Sequence, residues 1–157
     1  MSLTFPTINK TAPQFTTTNQ EGNNVSLADF KGQKVVLYFY PKAMTPGCIT
    51  QACGIRDSKD AFAAANTVVL GISPDAVKLL TRFTEKKELN FTLLSDEDHQ
   101  IAESYGVWAL KKFMGKEYIG IHRVTFIIDE EGILRHVMAK VKTKSHHDDV
   151  LEIINNL

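Results

Sequence analysis

The amino-acid sequence predicts an α/β protein in which a mixed central β-sheet carries helices on both faces. Three observations support that reading. Apolar, β-rich runs occupy residues 35–40, 67–72 and 124–128, helix-start signals fall between them, and Asp129-Glu130-Glu131-Gly132 gives a hairpin signal after the third run. Continuous apolar runs of this length are what strands covered on both faces require.

In chain order, residues 14–18 and 23–25 read as a small hairpin turning around Gly22-Asn23. Val35-Val36-Leu37-Tyr38-Phe39-Tyr40 is the first buried strand. A helix then starts near Thr45-Pro46 and runs to about Ala65, with Ile49, Ala52, Ile55 and Phe62 near one face. Thr67 to Ile72 is the second strand, and Ser73-Pro74 supplies a cap and a first-turn proline for the second helix. Ser95-Asp96-Glu97-Asp98 has capping-box spacing, with Asp in place of Glu, ahead of a short third helix. Val124 to Ile128 and Ile133 to Met138 flank the later hairpin. The last helix begins at Ser145, with Val150, Ile153, Ile154 and Leu157 on one side. This β-α-β-α-β-β-α order, behind an N-terminal β-hairpin, fits the thioredoxin-like fold. No repeat, low-complexity run or long linker divides residues 1–157, so one domain is expected.

A chain of 157 residues is long enough to bury a substantial core, and 43% hydrophobic with 23% charged residues is ordinary for a folded enzyme. Eighteen basic residues balance eighteen acidic ones. That balance gives no support to nucleic-acid binding, which draws on a concentrated positive field. No stretch approaches the roughly 20 apolar residues that span a bilayer. Met1 to Pro13 shows no basic start followed by an apolar run, so a cytoplasmic location is the expectation. The two cysteines, Cys48 and Cys53, are too few for a disulfide-stapled scaffold. Two close thiols point to redox chemistry, half a metal site or packing.

The informative stretch runs from Tyr38 through Pro41 to Thr45-Pro46-Gly47-Cys48. The strand ends at Pro41, which has no N–H to continue a ladder. With Thr45 as N-cap and Pro46 in the first helical position, Cys48 falls in the first turn. Unpaired backbone N–H groups and the positive end of the helix dipole favour a thiolate there. The thiolate is the reactive form of cysteine, so this is a good place for a redox nucleophile. Position alone also allows a buried, inert cysteine with Thr45 as a plain cap.

The spacing Pro41-x-x-x-Thr45-x-x-Cys48 resembles the active-site signature of the peroxiredoxin family. The longer string Tyr38-Phe39-Tyr40-Pro41-Lys42 through Cys48, with Cys53 five residues on, is similar to its bacterioferritin comigratory protein, or peroxiredoxin Q, subfamily. The likeness continues through Phe91-Thr92-Leu93-Leu94-Ser95-Asp96, Tyr105-Gly106-Val107-Trp108, Gly120-Ile121-His122-Arg123 and Phe126-Ile127-Ile128-Asp129, nearly the whole chain. The resemblance implies a thiol peroxidase needing no metal or organic cofactor. In it Cys48 attacks peroxide, Thr45 orients the substrate, Pro41 shields the thiolate, and Arg123 stabilises charge on sulfur and oxygen. Cys53 would be the resolving cysteine, thioredoxin the reductant, and a monomer the expected state. A thioredoxin-like exchange protein without peroxidase activity is the rival, although such proteins usually carry CxxC.

On one regular helix, residues five apart lie with Cα atoms roughly 8–9 Å apart and about 140° around the axis. A disulfide needs Cα atoms within about 7 Å, so an intramolecular Cys48–Cys53 bond requires the helix start to unwind. The five histidines (His99, His122, His136, His146 and His147) read as solvated or helix-start residues, since adjacent His146-His147 make poor partners for one ion. Trp108, Phe113, Met114 and Tyr118 read as a loop-like stretch that covers the core, with a hydrophobic entrance for organic hydroperoxides as the alternative for some of them. Lys42, Lys111 and Lys112 read as solvated charges, and strand spacing turns His122 away from Arg123.

Overall fold

A computed structural model describes residues 3–157. The chain forms β1 (Thr16–Asn19), β2 (Asn24–Ser26), a 3₁₀ turn at Leu27–Phe30, β3 (Lys34–Phe39), α1 (Pro46–Asp57), α2 (Lys59–Ala64) and β4 (Thr67–Ser73). Then follow α3 (Val77–Lys87), β5 (Thr92–Ser95), α4 (Gln100–Ser104), β6 (Trp108–Phe113), β7 (Lys116–Ile121), β8 (Thr125–Ile128), β9 (Leu134–Met138) and α5 (His146–Asn155). Seven strands make the main sheet in the order β2-β1-β5-β4-β3-β8-β9, while β6 and β7 form a separate ribbon. The β3–β4 and β4–β5 pairs are parallel, and β3–β8 is antiparallel, so the sheet is mixed as the sequence predicts.

Strand alternation divides the core between the two faces. Val35, Leu37 and Phe39 of β3 pack with Leu70, Ile72, Ile101, Tyr105 and Phe126 on one side. Val36 and Tyr38, with Tyr40 just beyond the strand, pack with Ala52, Phe62, Leu80, Phe83, Val150 and Ile154 on the other. Cys48 belongs to this second cluster. Gly71 lies opposite Tyr38 in the β3–β4 register, and a Cβ there would come 2.9 Å from the Tyr38 ring. The phenol end of Tyr38 therefore fills the space that a side chain at this strand position would need, and glycine leaves it open.

Several boundaries differ from the sequence reading. The helix expected to continue to Ala65 breaks at Ser58 into α1 and α2. Ser73 remains in β4, and α3 begins only at Val77 with Ala76 as its N-cap, because the Ser73 hydroxyl is used by Asp75 at 2.8 Å. The α4 start is shifted to Gln100; the Asp96 carboxylate reaches ahead to accept from Ile101 N–H at 3.1 Å and Ala102 N–H at 2.8 Å. β5, with four residues, carries too short a pattern to stand out. The loop-like stretch after Trp108 is the β6–β7 hairpin. Its turn residues Met114 (φ 50) and Gly115 (φ 79) both take positive φ, a geometry usually signalled by Asn-Gly. Trp108 covers the core, but Phe113, Met114 and Tyr118 are exposed.

Candidate active site

β3 leads directly into the segment that carries Cys48. Tyr40 N–H still donates to Ile72 at 3.0 Å, and Pro41 then ends the ladder for want of an N–H. The following loop is tied to the sheet through a buried carboxylate. Asp75 accepts from Ala43 N–H at 2.7 Å and from the Ser73 hydroxyl at 2.8 Å, while its carbonyl accepts from the Ser95 hydroxyl at 2.6 Å. These anchors hold Met44 at φ 70, a left-handed conformation uncommon for a side chain of this kind. Thr45 then takes extended N-cap geometry, Pro46 is the first helical residue, and Ile49 N–H donates to the Thr45 carbonyl at 2.9 Å. Cys48 therefore sits in the first turn of α1, as predicted, and is 2% exposed.

Arg123 arrives from the short link between β7 and β8, which is pinned on both sides. His122 N–H donates to Val107 at 2.9 Å, and Phe39 N–H to Val124 at 3.0 Å. Its guanidinium donates from Nη2 to Cys48 Sγ at 3.2 Å and from Nη1 to Gln51 Oε1 at 2.9 Å. Gly47 makes room for that approach, since a Cβ at this position would lie 3.1 Å from Nη2. Gln51 is buried one turn below Cys48, and its Nε2 is 3.2 Å from His146 Nδ1. His146 Nε2 is in turn 2.8 Å from the Thr125 hydroxyl.

Gln51 and His146 were not among the site candidates read from the sequence; His146 is a helix-start residue, as that reading allowed, but it is buried and not solvated. It is fully buried, and that burial lowers its imidazole from the ordinary 6.5 to about 4. The available signal was spacing: Gln51 shares the buried face of α1 with Cys48, Ala52 and Ile55. His146 likewise precedes Val150 and Ile154 on the apolar stripe of α5. Lys111 departs from the solvated reading too. Its Nζ donates to the Ile121 carbonyl at 2.7 Å, and partial burial, then the charge of Arg123, lowers its pKa.

The remaining predicted residues are placed less directly. The Thr45 hydroxyl donates to the Lys42 carbonyl at 2.8 Å, so its O–H is turned into the loop. Pro41 is half-buried beside Tyr40. Cys53 lies on the same uninterrupted α1 as Cys48, partly exposed, and both are free thiols. His122 Nε2 meets the Leu110 carbonyl at 3.0 Å, tying this link to the β6–β7 ribbon. Among the described residues no group of three or more His, Cys, Asp or Glu is arranged to hold a metal ion. No helix among them is long and apolar enough to cross a membrane.

A cysteine at a helix start under an arginine fork, carried by a mixed sheet with helices on both faces, defines a class of thiol enzyme. The AhpC/TSA family pattern matches residues 8–137, and the chain belongs to that family, the peroxiredoxins, which are thiol peroxidases. Within it the relatives are Bcp and peroxiredoxin Q proteins. Peroxiredoxin Bcp of Escherichia coli strain K12 is 58% identical over 140 residues, covering 89% of this chain and 90% of the relative. Peroxiredoxin Bcp of Bacillus subtilis is 47% identical over 150 residues, covering 96% of each. Among solved structures, a Xylella fastidiosa PrxQ variant superposes with a TM-score of 0.92 at 29% identity, covering 98% of both chains. The Xanthomonas campestris bacterioferritin comigratory protein gives 0.86 at 31% identity, covering 98% of this chain and 96% of its own. The thioredoxin-like fold expected from the element order is thus the fold of this family.

Proposed function

We propose that Cys48 is the peroxidatic nucleophile of this enzyme, with Arg123, Thr45 and Pro41 shaping its site and Cys53 resolving the product. The observation carrying this is the 3.2 Å contact from Arg123 Nη2 to Cys48 Sγ at the start of α1. The Cys48 thiolate attacks one peroxide oxygen, the O–O bond breaks, and its electron pair leaves with the distal oxygen as hydroxide or alkoxide, which takes up a proton. Sulfur is oxidised to sulfenic acid and the peroxide is reduced to water or an alcohol. Arg123 and the helix-start N–H groups are fixed donors facing the atoms where the charge moves. The Thr45 O–H is committed to Lys42, which leaves its oxygen lone pairs to accept from a peroxide O–H.

In the second half-reaction the Cys53 sulfur attacks the sulfenic sulfur, water leaves, and a Cys48–Cys53 disulfide forms. Both residues lie on one continuous helix, so the start of α1 unwinds for this step. Unwinding exposes the disulfide to a dithiol reductant, and thioredoxin, in a reducing cytoplasm, is the proposed donor. A monomer suffices for an intramolecular disulfide. The Xanthomonas relative's described alkyl peroxide reduction supports organic hydroperoxides as substrates beside hydrogen peroxide. The test is peroxide-dependent NADPH oxidation with thioredoxin and thioredoxin reductase. Activity that vanishes in Cys48→Ser is expected. Turnover by that variant at the parent rate would reject the assignment.

A further inference from the structure

We propose that His146, the first residue of α5, is a positioning residue for the peroxide reaction: it locks Gln51 in the one orientation that steadies Arg123 against Cys48. The proposal rests on the reading of Arg123 as the partner of the Cys48 thiolate.

The direction of every hydrogen bond in this chain follows from chemistry. A guanidinium has only donors, so Arg123 Nη1 fixes the facing atom of Gln51 as Oε1. The amide N–H of Gln51 must then point at His146 Nδ1, which accepts and carries no proton. The ring proton sits on Nε2 and is donated to the Thr125 hydroxyl. His146, Gln51 and Thr125 are all fully buried, so water cannot replace any link. An amide has two dissimilar ends of nearly equal shape. Without an acceptor at Nδ1, Gln51 could turn its donor end towards the guanidinium and release it.

The ring of His146 is itself held firmly. Tyr38 meets it edge-on, with centroids 5.4 Å apart and planes at 60°. Its backbone opens α5, whose Val150 and Ile154 are buried in the core around Cys48. A C-terminal helix thus reaches the nucleophile through Gln51 and Arg123, of which Arg123 hydrogen-bonds the Cys48 sulfur. Sub-ångström support of this kind matters because small displacements of a catalytic group cost rate steeply.

The test is a double-mutant cycle on the second-order rate constant for stoichiometric hydrogen peroxide, read as loss of Cys48 thiol, with a thermal melt of every variant. H146L is expected to slow the reaction about ten- to a hundredfold. H146N should keep most of the rate, because its Oδ1 takes the place of Nδ1 as acceptor. In an R123M background H146L should cost nothing further, since the group it positions is gone. A wild-type rate in folded H146L, an H146N as slow as H146L, or an equal slowing with and without Arg123, would each overturn the proposal. Should H146L lose its cooperative melt, T125V takes its place in the cycle, and an unchanged rate there overturns the proposal equally. If R123M itself reacts at the wild-type rate, the reading of Arg123 falls first and this proposal with it.

Discussion

Arg123 and Cys48 are 75 residues apart in sequence, yet one guanidinium nitrogen lies 3.2 Å from the sulfur. The same guanidinium is held from its other nitrogen by Gln51, a residue of the helix that carries the cysteine. Nucleophile and cation are therefore fixed to one helical turn, although Cys48 lies on α1 and Arg123 on the link between β7 and β8.

Gly47 tests how closely that geometry is set. A methyl group there would sit 3.1 Å from Arg123 Nη2 and 3.7 Å from Thr143 Cγ2, so the guanidinium must shift by tenths of an ångström. Alanine is otherwise the better helix former by about 1 kcal/mol. Gly47→Ala should therefore keep or raise the melting temperature while slowing the peroxide reaction several-fold. A variant as fast as its parent would show that the arginine tolerates displacement.

Cys53→Ser separates the two half-reactions. The first equivalent of peroxide should be consumed at the parent rate, because the hydrogen bonds that hold Arg123 run to Cys48 and Gln51 and not through Cys53. Cycling with thioredoxin should stop, and mass spectrometry should find sulfenic acid trapped on Cys48 instead of a disulfide. In the parent, oxidation should raise hydrogen exchange across residues 46–55. Equal exchange in both redox states would defeat the unwinding step.

Much of this was legible in the sequence for identifiable reasons. Buried strands such as β3 are written as apolar runs, and Thr45-Pro46 marks the start of α1 in one dipeptide. Local chemistry thus placed Cys48, and the family likeness paired it with Arg123. Other features depend on partners distant in sequence. Asp75 gives no sign that it will accept from Ala43 N–H, 32 residues earlier. Gln51 and His146 lie on the apolar faces of α1 and α5, but nothing local shows that these two polar side chains meet, at a sequence separation of 95. The β6–β7 hairpin escaped because its turn is Met-Gly and its exposed face mixes lysines with Phe113 and Tyr118.

Gly54 offers the opposite test to Gly47. The imidazole of His147 lies on this glycine, and an added Cβ would come 2.8 Å from its Cε1. His147 Nδ1 is buried without a hydrogen-bond partner, so the contact is one of packing. Overpacking of a tight site typically costs about 1–3 kcal/mol, which outweighs the roughly 1 kcal/mol of added helix propensity. Gly54→Ala should lower the melting temperature, whereas Gly47→Ala should not. An unchanged melt would mean that His147 swings out at no cost.

His146 should also make stability depend on pH. In the unfolded chain its imidazole titrates near the ordinary 6.5, while burial in the folded protein lowers this to about 4. Asp149 opposes the shift; His147 and Arg123 add to it. Between these values the unfolded state binds more protons, so stability rises with pH there. The contribution is complete above 6.5, declines as pH falls, and is exhausted near 4. The window corresponds to a loss of about 3 kcal/mol, at roughly 1.4 kcal/mol per pH unit. Urea melts of the parent and H146N, compared at about pH 7 and about pH 5, isolate the term, because asparagine does not titrate. The parent should lose more stability than H146N on acidification. Parallel losses would assign the acid sensitivity to other groups and leave His146 without a titration of its own in this range.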